Sequence, residues 1–204
     1  LNQQLLRSAI VSLAKWAYRF SPIVAFDRLP KELDNDPRFL GVNIDVSGCE
    51  RLFRGDDALL RKMSEGVSLL GIRARMALAP TLGAAWAISR HGPHRVSLIP
   101  EGGINEAVGA LPIKALRVPE KTVRELREVN VCTIGQLLAL PPQALRARFP
   151  ALLVKRLYQL QGWQEEPLKP LFFRPDERSY VEFSGPVTDL QVLREALGRA
   201  LHAL

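Results

Sequence analysis

Apolar residues recur at helical spacing from the start of the chain. Leu5, Leu6, Ala9, Ile10, Leu13 and Ala17 fall on one face and predict a helix over residues 2–19. Ser21-Pro22 stops it, because the residue before proline avoids the helical region. Ile23-Val24-Ala25-Phe26 reads as a short strand, and residues 28–38 as a polar loop. The period then changes to two: Leu40, Val42, Ile44 and Val46 alternate with Gly41, Asn43 and Asp45. These two strands are expected to pair antiparallel. Asp56 or Asp57 is expected to cap a helix carrying Leu59, Leu60, Met63, Val67 and Leu70, which Gly71 ends. Residues 72–79 alternate again, with Arg73 and Arg75 outward. A helix over 82–90 follows, and its small face (Gly83, Ala84, Ala87) suits close packing on the sheet. Val96–Ile99 completes the alternation of strands and helices. The pattern predicts an α+β layer with one antiparallel-to-mixed sheet.

From Leu111 the pattern is helical throughout. Pro119 suits the first turn of a helix over 119–128, and Asn130 suits the left-handed position that ends it. Thr133-Ile134-Gly135-Gln136 is a capping box. Pro141-Pro142 ends that helix; a short one around Ala144–Arg148 and another over 151–161, stopped by Gly162, follow. A Pro-rich stretch of mixed charge reads as a linker. Val181 and Phe183 suggest a strand, and Asp189 the cap of a last helix.

Composition changes the picture in several ways. The 204 residues are 47% hydrophobic and carry a net charge of +7, which is globular rather than disordered. A sequence pI near 9.8 raises nucleic acid as a partner. The longest uncharged run, Val129–Leu145, contains Asn130, Gln136, Pro141 and Pro142 and does not suit a bilayer span. The two cysteines, Cys49 and Cys132, form no CxxC and read as buried free thiols in a reducing compartment. His91-Gly92-Pro93-His94 has metal-ligand spacing, but Gly-Pro breaks the helix that would align the rings. The chain opens at Leu1 inside an amphipathic pattern, as a piece of a longer protein would.

Candidate chemistry follows from charge placement. Leu126-x-x-Val129-Asn130-Val131-x-Thr133-Ile134-Gly135-x-Leu137 looks like half of a helix-hairpin-helix unit, whose backbone N–H groups grip DNA phosphates without reading sequence. Basic residues flank it. Arg117, Lys121 and Arg124 before the turn, and Arg146, Arg148, Lys155 and Arg156 after it, are the candidate DNA-binding set. Metal-dependent phosphoryl transfer needs two or three carboxylates converging on metals about 3.5–4 Å apart. The strand candidates are Asp27 and Asp45, and Asp45 equally suits capping the turn at Val46-Ser47-Gly48.

Several segments together resemble the Y-family translesion DNA polymerases, and most closely their bacterial, catalytically inactive ImuB-type relatives. They are Trp16-Ala17-Tyr18-Arg19-Phe20-Ser21-Pro22, Asn43-Ile44-Asp45-Val46-Ser47-Gly48-Cys49-Glu50-Arg51-Leu52-Phe53, Ala79-Pro80-Thr81-Leu82-Gly83-Ala84-Ala85-Trp86, Leu111-Pro112-Ile113-Lys114-Ala115-Leu116-Arg117 and Thr133-Ile134-Gly135-Gln136-Leu137. The resemblance implies an α+β polymerase-type palm over 1–110, lacking its first strand and the fingers. It implies an all-helical, helix-hairpin-helix-like thumb over 111–165, a linker over 166–177 and the start of an α/β little finger over 178–204. It also implies lost catalysis. The metal-binding Asp-Glu pair of active members falls on Leu40 and Gly41, and their triphosphate-binding lysine on Trp86. The first thumb hairpin, glycine-rich in active members, reads Leu116-Arg117-Val118-Pro119 here, and proline removes a donor.

The expectation is a non-catalytic DNA-binding accessory protein of translesion synthesis and SOS mutagenesis, with no catalytic residues, metal or cofactor. By resemblance its partners are primer–template DNA, a sliding clamp, a RecA-like accessory protein and a replicative-type polymerase subunit. No membrane is expected, and the location is cytoplasmic, at the nucleoid. Two alternatives stay open: an active metal-dependent translesion polymerase using Asp45, and a protein-interaction scaffold without DNA contact.

Overall fold

A computed structural model of the chain describes residues 3–27, 40–173 and 179–202. The fold is α+β. The elements in order are α1 (Gln3–Ala17), β1 (Ile23–Phe26), β2 (Val42–Asp45), α2 (Glu50–Phe53), α3 (Asp56–Leu69), β3 (Met76–Leu78), α4 (Leu82–His91), β4 (Val96–Leu98) and α5 (Ile104–Gly109). A 3-10 turn at Ile113–Leu116 leads into α6 (Glu120–Glu128), α7 (Ile134–Leu138), α8 (Pro142–Arg148), α9 (Ala151–Gln161) and α10 (Leu190–His202). Two compact units form, Leu1–Pro170 and Leu171–Leu204.

The expected antiparallel pair forms, with Ile23 opposite Asp45 and Phe26 opposite Val42. The expected single sheet does not. Among the described residues, β3 pairs only with β4, in parallel, and β2 only with β1. Period-two alternation reports which way side chains point; it is silent on which strand lies next door. Asp27 donates its N–H to the Gly41 carbonyl at 2.9 Å. Alternation of the ladder from that pair turns the main-chain groups of Val42 and Ile44 away from β1. β3 and β4 bond through Met76 and Leu78, which leaves Ala77 facing the opposite edge.

Local signals explain most helix ends. Thr81 caps α4 by accepting from Ala84 N at 3.1 Å. Thr133 and Gln136 form the expected capping box on α7, and Asn130 takes φ 60° after α6. Asp189 Oδ1 accepts from Gln191 N at 2.8 Å at the start of α10. Asp56 and Asp57 do not cap α3. Gly55 holds that position at φ 106°, and both carboxylates lie in the first turn, where the helix dipole favours them.

The core of the first unit joins α4 to the helices that follow. Ala84, Leu126, Ile134, Leu137 and Leu153 are fully buried in it. α4 packs on β3 as expected and also on α9, where its small face comes closest: a Cβ on Gly83 would stand 3.0 Å from Leu160 Cα. No strand forms at Val181 or Phe183, since the second unit offers no other strand among its described residues. Neither thiol is buried; Cys132 is exposed and Cys49 half-buried, each at a turn.

Candidate functional site

A groove of about 540 Å³ opens between β2 and β3. Its walls include Asn43 and Asp45 of β2, Arg75 and Leu78 on the β3 side, Trp86 of α4 and Glu166 after α9.

Trp86 is the hinge of a polar chain beside this groove. Its indole Nε1 donates to both carboxylate oxygens of Asp27, at 2.8 and 2.9 Å. Arg90, one helical turn further on α4, pairs with the same carboxylate. The guanidiniums of Arg90 and Arg117 lie 5.5 and 5.4 Å from the indole centroid, within cation–π range. Arg117 occupies the left-handed position that closes the 3-10 turn, at φ 57°. It grips Glu166 bidentately at 2.7 and 2.6 Å, and Arg156 of α9 reaches the same carboxylate at 2.6 Å. One contiguous array thus ties the end of β1, α4, the turn before α6, α9 and the segment after α9. His91 stacks near Trp86, with centroids 5.9 Å apart. Burial, and then the charges of Lys114, Arg90 and Arg75, hold its imidazole below the ordinary 6.5.

The two candidate carboxylates do not converge. Asp27 stands beside Gly41, whereas Asp45 lies four residues further along β2, about 13 Å away at strand rise. Asp45 Oδ1 accepts from Ser47 N at 3.0 Å, the turn-capping role its sequence context suited. Asp27 is wholly engaged by Trp86 and Arg90. A Cβ at Gly41 would stand 2.7 Å from Arg90 Nη2 and 3.3 Å from Asp27 Cβ, so a longer side chain there displaces the ion pair.

The seven candidate DNA-binding residues fall into two groups. Arg117 and Arg156 are brought together on Glu166, largely buried. Lys121, Arg124, Arg146, Arg148 and Lys155 are exposed. Lys121 sits 3.9 Å from Glu125, and Arg146 donates to the Tyr158 hydroxyl at 2.8 Å. Four backbone donors at the α6–α7 turn, those of Cys132, Thr133, Ile134 and Gln136, are engaged within the chain. Gln136 Oε1 accepts from Cys132 N and Thr133 N, Thr133 Oγ1 accepts from Gln136 N, and Ile134 N donates to the Leu111 carbonyl.

Sequence reasoning missed Glu166 and the Asp27–Trp86 bond. Glu166 opens a stretch that reads as linker, and its partners lie 10 and 49 residues away, so no local spacing marks it. No protein-family model matches the chain. Two curated proteins are similar to it: "Protein ImuB" of Caulobacter vibrioides strain NA1000 / CB15N and of strain ATCC 19089 / CIP 103742 / CB 15. Each is 36% identical over 169 residues, 83% of this chain. The chain spans about a third of the length of these relatives, 34%.

Proposed function

The chain is of ImuB type, and from that premise we propose a non-catalytic, polymerase-like accessory protein that binds DNA in SOS-induced mutagenesis, translesion synthesis and DNA repair. In this reading residues 1–110 are a partial palm, 111–165 the thumb, 166–177 a linker and 178–204 the start of a little finger. The observation that carries it is the Trp86 array. Where the resemblance places a triphosphate-binding lysine, an indole bonds to Asp27 and lies against Arg90 and Arg117. Nucleotide addition needs a cation there and metal-binding carboxylates beside it. The position is filled by internally satisfied groups, and Leu40 and Gly41 offer no metal ligand.

DNA contact is assigned to Lys121, Arg124, Arg146, Arg148 and Lys155. Arg117 and Arg156, held by Glu166, position the turn before α6. Such contacts read charge and not sequence. By the same resemblance the partners are a sliding clamp, a RecA-like accessory protein and a replicative-type polymerase subunit, met in the cytoplasm at the nucleoid. Among the described residues no helix is long and apolar enough to cross a membrane.

The test is anisotropy binding of a primer–template duplex by the full-length protein across a salt series, with primer extension run in parallel. Four neutralised phosphates give a log–log slope of about −3.6, at roughly −0.9 per contact. No extension is expected. Extension by the unmodified protein overturns the non-catalytic reading. Absence of salt-dependent binding replaces it with the protein-interaction scaffold, which Pro119 in the first thumb hairpin favours.

A further inference from the structure

Arg146 of α8, Tyr158 of α9 and Trp163 just beyond α9 form a connected surface cluster, whose two aromatic rings the polymerase-like reading does not use. Trp163 is 69% exposed, whereas Trp86 is buried and Trp16 half-buried. Its position is fixed from both sides. Gly162 takes φ 78° and closes α9, and Trp163 N donates to the Tyr158 carbonyl at 2.9 Å. The indole meets the Tyr158 ring edge to face, with centroids 5.4 Å apart at 63°. Arg146 lies 5.6 Å from the Tyr158 centroid and donates to its hydroxyl. An aromatic surface held this way loses little freedom when a ligand lands on it.

We propose that Trp163 is a stacking platform for an unpaired nucleobase of single-stranded DNA, with Arg146 and Lys155 contacting the adjoining phosphates. The inference rests on the DNA-binding reading above and adds to it a second mode of contact. Trp, Tyr and Arg together also suit a protein interface. Charge decides between the two. The stretch from Arg146 to Trp163 has neither Asp nor Glu, and Arg146, Arg148 and Lys155 are exposed on it, while Arg156 is held by Glu166. A cationic track with an exposed aromatic ring matches a flexible polyanion whose bases each present a π-face.

The experiment compares the full-length protein with Trp163→Ala and Trp163→Phe on an oligothymidylate of about 20 nucleotides and on a blunt duplex of equal length. Trp163→Ala should lower single-strand affinity about tenfold and leave duplex affinity and the salt slope unchanged. Trp163→Phe should keep most of the affinity. Tryptophan emission should be quenched by the oligothymidylate in the wild type and not in Trp163→Phe, since the other two indoles are sheltered. Unchanged single-strand affinity in Trp163→Ala, with no quenching, overturns the platform while salt-dependent duplex binding still supports the DNA-binding reading. If the wild type binds neither DNA, both fall together.

Discussion

Glu166 holds two guanidiniums with one carboxylate, and all three side chains are at most about a quarter exposed. Removing the negative charge leaves two cations side by side with little water around them. Breaking a buried pair costs about 3–5 kcal/mol, and the residual exposure here reduces that. Glu166→Gln should lower unfolding stability by about 2–3 kcal/mol, seen as a fall in the urea midpoint at unchanged slope. His91 supplies a pH dependence whose sign follows from its environment. Its folded-state pKa lies below 6.5, so the unfolded chain takes up the proton first as pH falls. Stability from this residue is complete above pH 6.5 and is lost below it. His91→Gln should flatten that acid-side decline in thermal melts run between pH about 7 and 5. At this scale the sequence showed Asp45 as a turn cap because its partner is two residues away. It hid Asp27–Trp86, whose partners are 59 residues apart.

Elements were legible where their ends carry their own chemistry. The α6–α7 region is the clearest instance: Asn130, Thr133 and Gln136 specify a stop and a start without help from the rest of the chain. Thr133→Ala should remove the cap, release Gln136 N, and cost about 1 kcal/mol in urea unfolding. The 3-10 turn at Ile113–Leu116 and the short helices α2 and α5 escaped notice, because helices of a turn or so show no periodicity. The second neighbour of α4, the backbone of α9, was illegible, although its packing on β3 was not. Gly83, Ala84 and Ala87 announce close approach, but a glycine is equally open to a sheet and to the backbone of α9. Three strands are shorter than their alternation for a related reason. Alternation persists through 72–79, while hydrogen bonding lasts only as long as the three residues of β4.

At the scale of the molecule, the break between units falls at Pro170. Between it and α10 the described residues form neither helix nor strand, so their backbone is open to a protease. Limited chymotrypsin digestion should cut first between Pro170 and Leu190, at the exposed Phe172 or Tyr180, and leave a resistant product ending near there. An equally early cut inside α9 would contradict the two-unit division.

The groove between β2 and β3 has a further consequence. Val42 and Ile44 on one side and Ala77 on the other present main-chain donors and acceptors that neither two-stranded sheet pairs. Such rims are templates: any extended peptide that enters can knit both sheets together, and a neighbouring molecule's strand qualifies as readily as any other. Self-association of this polypeptide should therefore grow with concentration and start at these rims rather than at its cationic helices. Ile44→Pro, which removes a rim donor that β1 does not use, should keep it dispersed.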